Sequence, residues 1–128
     1  MSSFKINVNK NIKQKAGSKS VGKCALFVRE AVQLAKGLTS SPTGIESAKD
    51  YGNWLTTMGY KASNKTNSTA SVGDIAVFEA MGKHSHGHIQ VYCDDGKWRS
   101  DFVQNSFYPY ADGTKPNYIV YEWKNFRI

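Results

Sequence analysis

At 128 residues the chain is long enough to bury one hydrophobic core and too short for a second module of similar size, which excludes a multidomain protein. Apolar residues make up 40% of the sequence and only three residues are proline, a composition that excludes a disordered or fibrous protein. The formal net charge of +7 favours anionic partners, such as nucleic acid, anionic lipid or a bacterial wall polymer, without choosing between them.

The first 19 residues are polar and basic. Seven cationic residues precede Glu30, the first acidic one: Lys5, Lys10, Lys13, Lys15, Lys19, Lys23 and Arg29. We expect residues 1–19 to form an irregular basic arm, with at most a short ordered piece around Phe4, Ile6 and Val8. Such an arm either attracts an anionic partner or is a solvated tail that needs none. The start of the chain lacks the apolar centre of a secretory signal, and no apolar run approaches the length of a membrane span.

A first helix is predicted at the start of the domain proper, which we place at residues 20–128. Apolar residues recur at helical spacing from Cys24 to Leu38, with Ser20 available as the N-cap and Gly37 near the end. Cys24 therefore lies in the first turn of a helix, on its apolar face.

A second helix is predicted after the first. Thr43 and Glu46 have the spacing of a capping box, and apolar residues continue at helical spacing until Gly59. The period then changes to strict alternation, which predicts strands at residues 74–78, 88–93, 98–103 and 118–123. Two helices followed by a meander of strands predict an α+β domain in which the first helix packs on one antiparallel sheet.

The hairpin between the second and third strands decides which side chains share a face. A two-residue loop at Asp95 and Gly96 is the commonest solution for this sequence. With that register His88, Gln90 and Asp101 point the same way, since opposed residues share a face. A three-residue loop with a bulge would change the register.

Cys24, His88 and Asp101 form a candidate set of nucleophile, base and orienting residue. A thiol at a helix N-terminus beside an imidazolium has a lowered pKa, so we expect a thiolate at neutral pH. Each residue also has a purely structural interpretation. Cys24 could simply fill the core, His88 could be a hydrogen-bonded histidine within a strand, and Asp101 could be a surface carboxylate. Cys93, at the end of an apolar strand, is predicted to be a small buried hydrophobe, and no disulfide is expected.

With these residues identified, the chain resembles the CHAP and NlpC/P60 group of papain-like cysteine amidases, which cut peptidoglycan. The resemblance rests on an ordered set of segments: GKCALFVREA at 22–31 resembles the nucleophile helix, AKDYGNWLTTMGY at 48–60 the aromatic helix that follows, GDIAVF at 73–78 the next strand, and GHIQVY at 87–92 the histidine strand. WRSDFVQNSFYPY at 98–110 is similar to the end of small amidases of phage lysis cassettes and interbacterial toxins. The resemblance runs from about residue 20 to the C-terminus and implies a papain-like fold.

The resemblance implies that Cys24 is the nucleophile and His88 the general base, in an acyl transfer that needs neither metal nor cofactor. The orienting residue varies within the group, so Asp101 is selected only by the hairpin register. The group often has a Thr and a Trp or Tyr after the cysteine, where this chain has Ala25 and Phe27, which leaves the bond that is cut open.

A substrate groove is expected to be lined by aromatic residues, although aromatic residues also dominate small cores. The candidates are Trp54, Trp98, Tyr108 and Tyr110, together with Gln90 on the face of His88. They would contact the glycan or the stem peptide of peptidoglycan.

Two other functions compete with the cysteine amidase. His84, His86 and His88, at alternate positions, are candidate zinc ligands together with Asp101. Alternatively, the basic arm and exposed aromatic residues make a non-enzymatic module that binds the wall or nucleic acid.

The implied substrate lies outside the cytoplasm, yet the sequence shows no signal peptide. We therefore expect a protein made in the cytoplasm that acts in the periplasm or cell wall. The resemblance implies either a type VI secretion effector, injected as an antibacterial toxin, or an endolysin released by a phage. Of the two we favour the toxin, a monomer with a cognate immunity protein that needs no nucleic acid and no membrane insertion.

Overall fold

A computed structural model describes residues 3–124 of the chain. Residues 1–2 of the predicted arm and residues 125–128 of the predicted domain lie outside the described residues. The helices are α1 (Ser3–Lys15), α2 (Cys24–Ala35) and α3 (Gly52–Thr57), with short 3₁₀ helices at Ala48–Asp50 and Asn67–Thr69. The strands are β1 (Tyr60–Ser63), β2 (Ile75–Phe78), β3 (His88–Tyr92), β4 (Trp98–Arg99) and β5 (Tyr118–Trp123).

The five strands form one antiparallel sheet in the order β1-β5-β2-β3-β4. Helix α2 packs against β3, and α1 packs against α2. The prediction of an α+β domain, with the Cys24 helix on a small antiparallel sheet, is confirmed. The sheet is not the predicted meander, because β5 is inserted between β2 and a strand, β1, that alternation did not reveal.

The N-terminal segment is a helix, so the prediction of an irregular arm is wrong. Phe4, Val8 and Ile12 repeat every four residues and form a buried stripe, with 7%, 0% and 0% of their surface exposed. Lys13 and Lys15 lie in the last turn, where cations interact favourably with the helix dipole. The basic residues lie around a narrow apolar face that belongs to the core.

The predicted second helix is largely replaced by a turn and two short helices. The Thr43 hydroxyl accepts a hydrogen bond from the N–H of Ile45 at 3.1 Å, which makes a local turn in place of a helix cap. Gly44 has a φ of +79°, which ends any helix there. Ser20 does not cap α2 either, since the residue at the N-cap position is Lys23.

The β3–β4 hairpin has a three-residue loop, so the predicted two-residue loop is wrong. The N–H of Cys93 donates to the carbonyl of Lys97 at 2.9 Å, and Val91 pairs with Arg99. Gly96 takes the left-handed conformation, with a φ of +79°, that such loops require. The chain reverses soon after β4, so the predicted strand at 98–103 shortens to two residues.

The core occupies both faces of the sheet. Helices α1 and α2 cover one face, where Val28 and Val32 meet Ile89 and Val91. On the other face aromatic residues pack together, including Phe78, Trp98, Phe107 and Tyr118. Within residues 3–124 no helix has the length and apolar character needed to cross a membrane.

Replacing Ile12 by Ala tests whether α1 is part of the core. Because Ile12 is fully buried, we expect Ile12→Ala to lower the free energy of unfolding by about 2–5 kcal/mol. The control is Ile6→Ala on the same helix, where the side chain is 47% exposed and the loss should stay below about 0.5 kcal/mol. Urea unfolding measures both, and equal losses would show that α1 is not packed as described.

Candidate active site

A carboxylate ties the start of helix α2 to the end of β4. Asp101 Oδ2 accepts hydrogen bonds from the backbone N–H of Val21 at 2.7 Å and of Lys23 at 3.0 Å. The backbone joins the same two segments, because Gly17 donates to the carbonyl of Asp101 and accepts from Val103, both at 2.9 Å. These bonds hold the first turn of α2 against the sheet edge.

The three residues predicted to be catalytic line one cleft. Cys24, His88 and Asp101 enclose, together with Tyr110 and neighbouring residues, a space of about 140 Å³. Cys24 is partly exposed, whereas His88 and Asp101 are buried, with 6% and 2% of their surface exposed. The thiol and the imidazole therefore border the same cleft, at the start of α2 and the start of β3.

Gly87 positions the histidine by turning the chain sharply into β3. Its φ is +68°, and a Cβ at this position would collide with the carbonyl oxygen of Phe78 and would lie 2.7 Å from Lys49 Cβ. Only glycine fits this close approach. Phe78 is also the strand partner of His88 in the β2–β3 ladder.

Gln104, which the sequence analysis did not single out, is the direct partner of His88. Gln104 Oε1 lies 2.7 Å from His88 Nε2 and is an acceptor, so Nε2 carries a proton and Nδ1 has a free lone pair. Asp101 reaches this pair indirectly, since the Ser100 hydroxyl lies 3.1 Å from Asp101 Oδ1 and 3.4 Å from Gln104 Oε1. The sequence gives little indication of Gln104, because this residue reaches His88 only through the chain reversal after β4.

Burial makes the thiol and the imidazole neutral at neutral pH. It raises the pKa of the Cys24 thiol, and the nearby Asp101 charge acts in the same direction. Burial also lowers the pKa of His88 to about 4, although Gln104 and Asp101 act against it. The expectation of a thiolate with a lowered pKa is therefore wrong for the free protein, because desolvation outweighs the hydrogen bonds from backbone groups, of which that of Ile89 is the largest.

Tyr110 closes the cleft and presents an unused donor. Its ring stacks on His84, with centroids 3.6 Å apart and planes inclined by 12°. Its hydroxyl is buried and has no hydrogen-bond partner among residues 3–124. Burial, together with the nearby Cys24, raises the pKa of this hydroxyl to about 12, so it stays protonated and able to donate.

A larger groove of about 480 Å³ opens on the other side of Cys24. It runs between the first turns of α2 and the segment around Ile45 and Ala48, with Tyr51, His86 and Gly87 at its border. Cys24 lines both the groove and the small cleft. A polymer bound in the groove would have one of its bonds next to the Cys24 sulfur.

Four residues predicted to bind substrate lie away from this groove and cleft. Gln90 and Trp98 are interior, with 0% and 3% of their surface exposed, and Gln90 Nε2 donates to the carbonyl of Phe107 at 2.9 Å. Trp54 and Tyr108 are partly exposed, but neither lines the groove or the cleft beside Cys24. Gln90 and Trp98 are therefore part of the packed interior and have almost no exposed surface for a substrate to contact.

The three histidines do not converge on a metal site. His84 Nε2 lies 2.9 Å from Asp112 Oδ2, His86 Nδ1 lies 2.7 Å from the Ser47 hydroxyl, and His88 faces a glutamine. Within the described part of the chain no group of three or more His, Cys, Asp or Glu side chains is placed to hold a metal ion. Among residues 3–124, the predicted zinc ligands His84, His86 and His88 are therefore not arranged to bind one metal ion.

Two solved structures are similar to this chain over nearly its whole length. The first is the native type VI effector–immunity complex Tae3–Tai3 from Ralstonia pickettii, with 32% identity, a TM-score of 0.79, and coverage of 94% of this chain and 98% of that chain. The second is its selenomethionine form, with 34% identity, a TM-score of 0.75, and coverage of 91% and 99%. No family model matches the chain, and no curated protein matches it.

Asp101→Asn tests whether the buried carboxylate holds the site together. Burial raises the pKa of Asp101, but hydrogen bonds from Lys23 and Val21 outweigh it and leave the pKa below its ordinary value of 3.8. The charged form therefore stabilises the fold above that value, and the contribution is lost as the pH falls through the folded-state pKa. We expect Asp101→Asn to lower the free energy of unfolding at neutral pH by about 1–3 kcal/mol.

The difference between wild type and Asp101→Asn should shrink as the pH falls below 3.8, the ordinary aspartate pKa, and the wild-type carboxyl takes up its proton. Chemical unfolding at a series of pH values measures it. Asp50→Asn is the matched control, because the Asp50 side chain is 56% exposed. A pH-independent difference would contradict the role assigned to the Asp101 charge.

Proposed function

The chain belongs to the family of the type VI effector Tae3, and on that premise we propose that it is an antibacterial toxin that hydrolyses an amide bond of bacterial peptidoglycan. The observation that carries this proposal is the cleft shared by Cys24, His88 and Asp101 beside an open groove. The bond lies in the stem peptide or in its link to the glycan. A binding module would not need a thiol and an imidazole in one cleft.

The proposed reaction is acyl transfer through a thioester. His88 Nδ1 takes the thiol proton as Cys24 Sγ attacks the amide carbonyl, and the tetrahedral intermediate forms. His88 then gives that proton to the leaving nitrogen, so that the C–N bond breaks and the amine departs. Water, deprotonated by His88, attacks the thioester and releases the carboxylic acid, while the proton returns to the sulfur.

The neutral resting pair suits this sequence of proton transfers. His88 must be neutral to accept a proton, and its pKa of about 4 ensures that at neutral pH. The imidazolium formed during attack is stabilised by Gln104 Oε1 on Nε2 and, through space, by the Asp101 carboxylate. Gln104 is thus the proposed orienting residue, and Asp101 acts as an electrostatic partner that also fixes α2.

Two donors are proposed to stabilise the oxyanion. The N–H of Cys24, in the first turn of α2, has no partner within the helix and lies at the positive end of the helix dipole. The Tyr110 hydroxyl, buried in the cleft without a partner, is the second. Fixed donors in a dry cleft stabilise developing negative charge better than water does.

The papain-like fold and membership of the CHAP and NlpC/P60 group are part of the same proposal. The support is the order of elements: a helix that begins with the cysteine, a buried strand, and a histidine at the start of the next strand. The sheet edge then supplies the residue that orients the histidine.

We further propose delivery by a type VI secretion system into the periplasm of a target cell. Both similar structures are effectors of this system bound to an immunity protein. By analogy, a cognate immunity protein in the producing cell would cover the groove beside Cys24 and keep peptidoglycan out of it.

Cys24→Ala tests the nucleophile. We expect it to abolish the release of peptide fragments from purified sacculi while binding to the sacculi persists, because only the sulfur forms the thioester. Mass spectrometry of the soluble products measures the release. Cys93→Ala is the matched control: Cys93 is fully buried and away from the cleft, so this variant should keep its digestion pattern. Undiminished release by Cys24→Ala would remove the assignment.

Gln104→Glu tests the orienting contact through the pH profile of kcat/KM. In wild type the rate should fall on the acid side as His88 takes up a proton near its pKa of about 4. A carboxylate at position 104 favours the imidazolium and raises that pKa, so the acid limb should move to higher pH by about one unit or more. Gln14→Glu, on the exposed side of α1, introduces the same charge elsewhere and should leave the limb in place.

An acid limb that coincides in wild type and Gln104→Glu would show that Gln104 does not control the protonation of His88.

A further inference from the structure

An arginine on the Cys24 helix carries a charge that nothing in the described chain neutralises. Arg29 follows Cys24 by five positions on α2, and only 9% of its surface is exposed. Its Nε is buried without a partner, and its guanidinium makes no hydrogen bond or ion pair within residues 3–124. A largely buried cation without an anionic partner is unfavourable, because the hydration lost at Nε is not replaced.

The unpaired guanidinium lies in the wall of the groove. Arg29 and Lys23 contribute two cationic side chains to the lining, and Glu46, from the segment that follows α2, contributes one acidic side chain. Glu46 shares this lining with Arg29, but Arg29 Nε has no partner among residues 3–124. Leu26 and Tyr51 make part of the lining apolar, which strengthens any ion pair formed there.

We propose that Arg29 binds a carboxylate of the substrate, so that the enzyme selects peptides with a free carboxylate close to the amide that is cut. This rests on the proposed function and names a feature of its substrate. The planar guanidinium presents donors in a fork that matches a carboxylate, and the bound anion supplies the partner that the chain lacks. Arg29 would be a substrate-binding residue with no part in the bond-breaking steps.

The helix geometry sets how far the carboxylate lies from the cut. Cys24 and Arg29 line the same groove, and the backbone of α2 advances about 7.5 Å between them at 1.5 Å per residue. An extended peptide advances about 3.3–3.6 Å per residue, so the carboxylate belongs to a residue within about two positions of the scissile amide.

The test compares two forms of the same substrate. Disaccharide peptides are prepared from sacculi, and half of the sample is converted so that the free carboxylates become methyl amides. We expect wild type to cleave the carboxylate form with a kcat/KM about 10- to 100-fold higher, as for other charge-assisted hydrogen bonds. Arg29→Met should lose this preference by raising KM for the carboxylate form alone, and Arg29→Lys should keep part of it.

The controls separate binding at Arg29 from general charge effects and from folding. Lys10→Met removes one exposed positive charge of α1 and should leave the preference intact. Calorimetry with inactive Cys24→Ala should show tighter binding of the carboxylate form, whether or not the Arg29 variants fold.

Three outcomes are distinguishable. If wild type cleaves neither form, the proposed function fails, and the calorimetry alone decides on the carboxylate site. Equal cleavage or equal binding of the two forms would overturn the site. An equal slowing of both forms by Arg29→Met would assign Arg29 a structural role and overturn it as well.

Discussion

The active-site geometry depends on one carboxylate that accepts two backbone hydrogen bonds. Asp101 Oδ2 binds the N–H groups of Val21 and Lys23, just before the helix that begins with Cys24. The segments it joins are about 80 positions apart in sequence, so loop-closure entropy opposes their contact until the sheet has formed. The proposed nucleophile and its base are therefore held together by a polar contact between distant parts of the sequence, at the edge of the core. The same charge favours an imidazolium at His88 once proton transfer begins.

Desolvation determines the chemistry of the cleft more than any single charged neighbour does. It keeps both the thiol and the imidazole neutral, and it leaves the Tyr110 hydroxyl protonated. In the resting site the thiol and the imidazole are both neutral, so no ion pair has to be solvated. In the proposed mechanism, charges form only when the sulfur attacks a substrate carbonyl. The groove on the other side of Cys24 is, by contrast, open and positively charged. In the proposed function, the open groove serves recognition and the buried cleft serves bond cleavage.

The sequence predicted the parts of this structure that depend on local pattern. Apolar alternation located β2, β3 and β5, and helical spacing located the helix that carries Cys24. The misses have specific physical causes. In α1 the apolar stripe is one residue wide and lies among lysines, so burial by tertiary contact outweighs a weakly hydrophobic sequence. The hairpin register could not be predicted from Asp95 and Gly96, because a glycine in the left-handed conformation suits a two-residue and a three-residue loop alike. Gln104 was missed because it approaches His88 only after the chain reverses beyond β4.

The raised pKa of Cys24 bears on how long the proposed toxin would keep its thiol reduced outside the producing cell. Oxidants attack the thiolate and not the protonated thiol, and the bacterial periplasm is an oxidising compartment. A half-buried, protonated Cys24 therefore reacts slowly with disulfides and peroxides, and Cys93, sealed in the core, offers it no internal partner. Burial of the proposed nucleophile would therefore slow its oxidation in the periplasm, where the proposed substrate lies.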